Sequence, residues 1–208
     1  MASSESSKFF TEDWTITIPT HPKLRFIRLI PTRYNHLVRI FSNPLNDPHN
    51  PASIAANWKE SDTHDLIKTY TRRYTSAKTA HNALALLVEE KGTIVGIGLM
   101  HELKYEPGVA NIGTILEEEA RGHGVGKVLM ELLLRLSNDL DVDAVEVATM
   151  KGNSAMRGLM RSLGVEETDK ERIVPGDRKV AEVIFKDVDR KRWKDFEFEV
   201  EFLGRVDD

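Results

Sequence analysis

The chain has 208 residues, of which 40% are hydrophobic and 30% are charged, and its formal net charge is −4. This length and composition are typical of one globular domain with a full hydrophobic core. The absence of cysteine excludes a disulfide scaffold, a thiolate metal site and a cysteine nucleophile. The seven histidines show no ligand spacing, so we expect no bound metal.

The mild negative charge argues against nucleic acid as a partner. No apolar run approaches the ~20 residues of a membrane span, and we expect no membrane partner. Residues 1–8 are rich in Ser and Glu and have neither the apolar stretch of a signal peptide nor the arginines of a transit peptide. We therefore expect a soluble, cytoplasmic protein, whose oligomeric state the sequence leaves unknown.

The first elements are predicted from hydrophobic spacing and from helix-start signals. Residues 1–12 are expected to form a flexible tail, and residues 13–208 a single domain. The stretch Leu24–Ile30 predicts a strand, and Pro31 begins a helix with apolar residues on one face. A second helix is predicted over Thr63–Tyr74.

The middle and the end of the chain predict most of a sheet. Strands over Ala83–Glu90 and Thr93–Leu103 form a hairpin, and Val109–Leu116 follows as a third antiparallel strand. Later strands are predicted over 144–148, 180–185 and 196–202. We expect a mixed α/β fold (α+β), with a central, mostly antiparallel sheet of six to seven strands and helices on both faces.

The most informative segment is the glycine-rich loop from Arg121 to Lys127, which opens directly into an amphipathic helix. Three glycines in five positions bring backbone N–H groups close to a ligand with no β-carbon in the way. The start of a helix adds unpaired N–H donors and the positive end of its dipole. The segment therefore predicts an anion site, with phosphate as the usual anion.

Two common phosphate motifs do not fit this loop. A P-loop needs Gly and Ser or Thr at the positions that Arg121 and Val128 occupy. A dinucleotide fingerprint needs a strand that runs straight into the first glycine, but residues 117–120 separate strand and loop.

The pattern Arg-x-x-Gly-x-Gly instead resembles the acetyl-CoA pyrophosphate loop of the GNAT superfamily of N-acetyltransferases. After the loop, Asn153 and Ser154 cap a helix that ends at Leu163-Gly164, and this element resembles the next one in that family. The likeness covers residues 82–165, with a weaker fit over residues 24–42. The opening strand and the Pro31 helix resemble the RimJ/RimL-like branch.

This resemblance implies a GNAT fold over residues 13–208 with acetyl-CoA as co-substrate and no metal. It implies that backbone amides of the loop hold the pyrophosphate, that the backbone at Leu116 pairs with pantetheine, and that Asn153 binds the pantetheine arm. The implied cofactor-binding residues are Leu116, Arg121, Gly122, His123, Gly124, Val125, Gly126, Lys127 and Asn153, and only the backbone of His123 is expected to matter.

Ordinary structural roles remain open for several of these side chains. Arg121 is also explained as a surface arginine that balances the acidic residues 117–119. Lys127 is also explained as a helix lysine that pairs with Glu131. Asn153 is also explained as a helix cap alone, or as cap and ligand together.

The acid and base of the reaction are less well marked. The family often has a tyrosine acid seven residues after the asparagine, where this chain has Met160, and a glutamate near the position of Asn111. Glu102, at the end of the preceding strand, is our candidate catalytic base. It is also explained as a solvated residue at a strand end without a catalytic role. Glu117 is an alternative base. Tyr70 and Tyr74 line the acceptor site or belong to the core.

The sequence thus predicts an N-acetyltransferase that transfers acetyl from acetyl-CoA to a primary amine by direct attack in a ternary complex. The acceptor is a protein N-terminus or a small-molecule amine, and the sequence does not decide between them. The alternative, motivated by Met160 and Asn111, is an acyl-CoA-binding or regulatory protein of the same fold with weak or no turnover.

Overall fold

The structure is a computed structural model that describes residues 4–46, 48, 57–103, 109–140, 142, 144–174, 178–186, 188 and 190–205. The helices in these ranges are α1 (Ser4–Thr11), α2 (Tyr34–Ser42), α3 (Glu60–Ala80), α4 (Val125–Asp139) and α5 (Ser154–Ser162). The strands are β1 (Glu12–Thr17), β2 (Leu24–Arg28), β3 (Ala83–Glu90), β4 (Thr93–His101), β5 (Val109–Leu116), β6 (Ala144–Met150), β7 (Thr168–Val174), β8 (Arg178–Phe185) and β9 (Glu199–Arg205).

The strands form one sheet in the order β7-β8-β6-β5-β4-β3-β2-β1-β9. Every neighbouring pair is antiparallel except β5 and β6, which are parallel. The predicted mixed fold with a mostly antiparallel sheet is confirmed. The sheet has nine strands in the described ranges, more than the six to seven expected, because β1 and β7 were not predicted.

Helices cover both faces of the sheet, as expected. The apolar side of α4 packs against one face, together with alternate residues of β3 and β4 such as Leu86 and Met100. The opposite face carries α2 and α3, whose Leu37 and Tyr70 pack on Ile97 and the other alternate residues. The period-2 alternation of side chains along each strand thus supplies two separate cores.

The N-terminal segment differs from the expected flexible tail. Residues 4–11 form α1, and Phe9 and Phe10 on it are buried against the sheet. The Trp14 Nε1–H on β1 donates to the Phe9 carbonyl oxygen at 3.0 Å, and β1 pairs with both β2 and β9. Burial of three aromatic side chains supplies the apolar surface that orders this segment.

Two further findings concern the last strand and the length of the helices. The last strand, β9, begins and ends three residues later than the predicted range 196–202, and Phe198 and Phe202 pack against the core. Within the described ranges, no helix is both long and apolar enough to cross a membrane.

Candidate functional site

A cleft opens between the two parallel strands of the sheet. β5 and β6 pair only from Val109 to Asn111 on one side and from Ala144 to Glu146 on the other. Both strands continue beyond this point, to Leu116 and Met150, without pairing to each other. The diverging part of β5 therefore has a backbone edge that can pair with an extended ligand.

A cavity of about 500 Å³ lies in this cleft. It is lined by seven of the residues predicted to bind a cofactor, namely Leu116, Arg121, Gly122, Gly124, Gly126, Lys127 and Asn153. His123 and Val125 are not among the lining residues, because the His123 side chain is exposed and the Val125 side chain is buried in the core. The structure therefore does not place these two predicted residues in the lining of the cavity.

The glycine loop has a backbone shape that glycine alone adopts without strain. Gly122 and Gly124 have φ values of 76° and 85°, in the left-handed region. A β-carbon built on either glycine meets no protein atom within 4 Å, so the space above the loop is open. The loop thus presents bare backbone to the cavity.

The N–H groups of this loop have no partners of their own. From Gly122 to Gly126, none of the backbone amides donates a hydrogen bond in the part of the chain that the structure describes. The next two amides, at Lys127 and Val128, donate to the Gly124 carbonyl oxygen at 3.0 and 3.1 Å. Five adjacent free donors at the positive end of α4 are the groups that bind anions in proteins, so the residues present fit a phosphate group.

Arg121 has a structural role that the sequence did not indicate. Its guanidinium donates to the Leu116 carbonyl oxygen at 2.8 and 3.0 Å, and to Leu45 and Asn46 at 2.8 and 3.2 Å. The acidic stretch is balanced elsewhere, since the Glu117 carboxylate pairs with Arg39 at 2.6 Å. Arg121 thus links the end of β5 to the turn at residues 44–46 by hydrogen bonds. Leu116 of β5 and Asn46 of the turn both line the cavity.

The Lys127 side chain lines the cavity and makes no ion pair within 4 Å in the described residues. The proposed pairing with Glu131 is therefore not a close contact, although burial raises the pKa of the Glu131 carboxyl and the charge of Lys127 opposes that rise. Lys127 is available to a phosphate.

Asn153 is the N-cap of α5, as predicted. Its Oδ1 accepts from the Met156 N–H at 3.1 Å, and its Nδ2 donates to Thr149 Oγ1 at 2.9 Å. The residue also lines the cavity, so a cap role and a ligand role are compatible. Met160, by contrast, is fully buried in the core and is not among the lining residues, so this position holds neither an acid nor a cavity wall.

Glu102 does not line this cavity. It follows the last residue of β4, and the Asn111 Nδ2–H at the start of β5 donates to its Oε2 at 2.5 Å. Asn111 is three residues from Thr114, the innermost β5 residue on the cavity, which corresponds to about 10 Å along a strand. Glu117, the alternative base, is held by Arg39.

The two tyrosines of α3 line one small pocket and differ in how deeply they are buried. Tyr70 is buried, and Tyr74 lies under the Arg28 and Lys78 cations. Both also line a small internal cavity of about 30 Å³ beneath α3.

Several lining residues were not identified from the sequence. They are Asn46, Pro48, Thr114, Ile115, Ala155, Met156, Gly158, Leu159 and Ser162. Met156 and Leu159 of α5 also pack partly on the core. Only the tertiary structure brings residues 46 and 48 to the loop, and no local pattern marks them.

Comparison with known proteins agrees with this geometry. A family model described as an acetyltransferase (GNAT) domain matches residues 24–166. No curated protein matches the chain at a significant level.

Three similar solved structures share the fold at low sequence identity. The first is yncA from Salmonella typhimurium with its cofactor acetyl-CoA, at 15% identity and a TM-score of 0.61, covering 79% of this chain and 92% of that one. The second is the ribosomal-protein-alanine N-acetyltransferase of Brucella melitensis, at 19% identity and a TM-score of 0.60, covering 77% and 97%. The third is the spermidine N-acetyltransferase of Vibrio cholerae with CoA and spermine, at 14% identity and a TM-score of 0.60, covering 81% and 98%.

The family match spans more than half of the 208 residues and includes the cleft, the glycine loop and the capped helix α5. The chain therefore belongs to the GNAT family of acetyltransferases.

Proposed function

We propose that this protein is an acetyl-CoA-dependent N-acetyltransferase that acts on a primary amine by direct attack in a ternary complex. The observation that carries the proposal is the row of five free amides at residues 122–126, of which Gly122, Gly124 and Gly126 line a cavity of about 500 Å³ beside the unpaired edge of β5. A pyrophosphate and an extended amide-containing arm are the two chemical groups that such a site accommodates side by side.

The residues around the cavity have distinct binding roles in this proposal. The loop amides and Lys127 bind the pyrophosphate, and the backbone of β5 up to Leu116 pairs with the pantetheine arm. The second hydrogen of the Asn153 Nδ2 and the second lone pair of its Oδ1 are available to that arm. The structures of yncA with acetyl-CoA and of the Vibrio enzyme with CoA support this cofactor.

In the reaction, the amine nitrogen attacks the thioester carbonyl carbon, a C–N bond forms, and the C–S bond breaks to release CoA. The protein must remove a proton from the amine, and Glu102 is our candidate for this role. Its Oε2 accepts from Asn111, while its Oε1 has no hydrogen bond in the described residues. Met160 cannot donate a proton to the CoA thiolate. The departure of the thiolate therefore relies on protonation by water and on the stability of the thiolate itself.

Direct attack is favoured over an acyl-enzyme because the sequence contains no cysteine. The acceptor is a protein N-terminus or a small-molecule amine. Both types occur among the similar structures, as a ribosomal-protein-alanine and a spermidine N-acetyltransferase. The likeness to the RimJ/RimL-like branch favours the protein N-terminus.

A panel of amines with acetyl-CoA tests the proposal, with free CoA thiol and acetylated product measured together. We expect equal amounts of both products for at least one class of amine, and no thiol release without amine. The second candidate function, a CoA-binding protein without turnover, is favoured by the buried Met160. Tight acetyl-CoA binding without transfer to any amine would replace the enzyme by this candidate.

A further inference from the structure

A second pocket lies on the α3 side of the sheet, where β4 ends. It has a volume of about 410 Å³ and is lined by Arg72, Arg73, Ser76, Asn82, Ala83, His101 and Glu102. None of these residues lines the cofactor cavity. Glu102 of this pocket accepts a hydrogen bond from Asn111 near the start of β5, and the other end of the same strand lines the cofactor cavity.

Two of the residues that line this pocket are arginines of α3. In the described part of the chain, neither Arg72 nor Arg73 has a carboxylate within 4 Å. Arg73 is half-buried, and its guanidinium lies 5.4 Å from the centre of the Tyr70 ring. A partly desolvated cation without a counter-ion is costly, so this position favours an incoming anion.

The surroundings of Arg73 do not neutralise it. Burial, aided by the charge of Arg73, lowers the pKa of His101 to about 4, so the imidazole is neutral at pH 7. Arg73 Nη1 lies 3.4 Å from His101 Nε2. Because arginine only donates, Nε2 must accept, and the ring proton is assigned to Nδ1.

Hydrogen-bonding capacity is left unused around the pocket. The buried atoms His101 Nδ1 and Asn82 Oδ1 have no partner in the described residues. Native proteins rarely leave buried polar atoms without a hydrogen-bond partner. The exceptions often occur where a ligand or a water molecule binds. The pocket therefore has an excess of positive charge, and two of the residues that line it carry a polar atom with no partner in the described residues.

Glu102 adds the opposite charge to the same pocket. A carboxylate beside two unpaired arginines complements a molecule that carries an ammonium group and a carboxylate a few atoms apart. The same arginines repel a polycation such as a polyamine.

We propose that this pocket binds the acceptor and that Arg72 and Arg73 pair with a carboxylate that the acceptor carries next to its reactive amine. The substrate class is therefore an amine with a neighbouring acid group, such as a peptide that begins with Asp. This inference rests on the proposed transferase function. Arg72 and Arg73 are specificity-determining residues in it, and Glu102 faces the amine.

An isosteric pair of peptides tests the inference, one beginning with Asp and the other with Asn and otherwise identical. We expect kcat/KM for the Asp peptide to exceed that for the Asn peptide by about tenfold or more, the effect of one charge-assisted hydrogen bond. Arg72→Gln should lower this ratio, because it removes one of the two proposed partners of the carboxylate, and the Arg72→Gln/Arg73→Gln double variant should bring it close to one. Lys68→Gln removes a charge from an exposed position on the same helix and should leave the ratio unchanged.

Calorimetric titration of both peptides into the CoA-saturated protein gives a readout that does not need turnover. Tighter binding of the Asp peptide, weakened by Arg72→Gln, supports the inference. Arg72 is exposed, so its loss should not unfold the chain, whereas Arg73→Gln also removes the contacts with Tyr70 and His101.

Equal kcat/KM and equal affinity for the two peptides would overturn the acidic-acceptor inference while leaving the transferase function in place. The transferase function fails differently, by the absence of acetyl transfer to every amine in the panel. In that case the calorimetric preference alone decides whether the pocket binds a carboxylate.

Discussion

Replacement of Gly124 by alanine separates the cost of backbone strain from the loss of the anion site. Gly124 has φ of 85°, where an L-residue costs about 1–2 kcal/mol. The new β-carbon meets no protein atom within 4 Å, so no packing clash is added. For a domain of this size the melting temperature should fall by about 2–8 °C.

The effect on acetyl-CoA binding should be separate and larger. Since Gly124 lines the cavity, its β-carbon occupies the space that the phosphate needs. At a hundredfold excess over the dissociation constant, acetyl-CoA should stabilise the wild type by about 2.7 kcal/mol. A tenfold loss of affinity reduces this to about 1.4 kcal/mol at the same concentration.

The assay is a thermal melt with and without acetyl-CoA, and Gly92→Ala is the matched control. Gly92, in the turn between β3 and β4, has φ of 83°, a β-carbon there also meets no protein atom within 4 Å, and the residue does not line the cavity. Alanine at this position should cost a similar amount of stability and should retain the full ligand shift. A full acetyl-CoA shift in Gly124→Ala would refute the loop as the phosphate site.

Three further variants test single residues. Asn153→Ala loses the cap and the bond to Thr149 and should cost about 1–2 kcal/mol in a denaturant melt; an acetyl-CoA affinity equal to wild type would leave Asn153 as a cap only. Met160→Ala should cost about 2–5 kcal/mol because it empties a buried site, and a changed acetyl-CoA affinity would contradict its position away from the cavity. His101→Gln tests pH dependence: because the folded pKa of about 4 is below the usual 6.5, the unfolded chain binds the proton first as pH falls. Wild-type stability should therefore drop more steeply than that of the variant between pH 6.5 and 4, and parallel curves would argue against a buried neutral His101.

Local signals explain the parts of the fold that the sequence predicts. The bounds predicted for β3 and β5 agree with the structure because apolar runs and turn residues mark them, and α5 carries its own cap at Asn153. β1 is stabilised by pairing with β2 and with β9. Because β9 lies near the other end of the chain, no local pattern reveals this pairing. β7 is a charged segment that pairs with β8, and it lacks the apolar run by which β8 was predicted.

The candidate site likewise has a part that local sequence predicts and a part that only the tertiary structure brings together. The loop from Arg121 to Lys127 is recognisable because its glycines and the following helix are adjacent in the chain. The bonds from Arg121 to Leu45 and Asn46 join segments about 75 residues apart, and no spacing rule reveals them. The pocket around Arg73 depends likewise on where α3 lies over the end of β4.

The central claim, acetyl transfer to an amine by direct attack, is tested most directly by a rapid-quench single turnover with acetyl-labelled acetyl-CoA and excess protein. Without amine, the label should remain on CoA and none should become attached to the protein. After addition of an acceptor, the label should pass to the amine in step with the release of CoA. Label on the protein before the amine arrives, or bound acetyl-CoA that no amine in the panel discharges, would contradict the account.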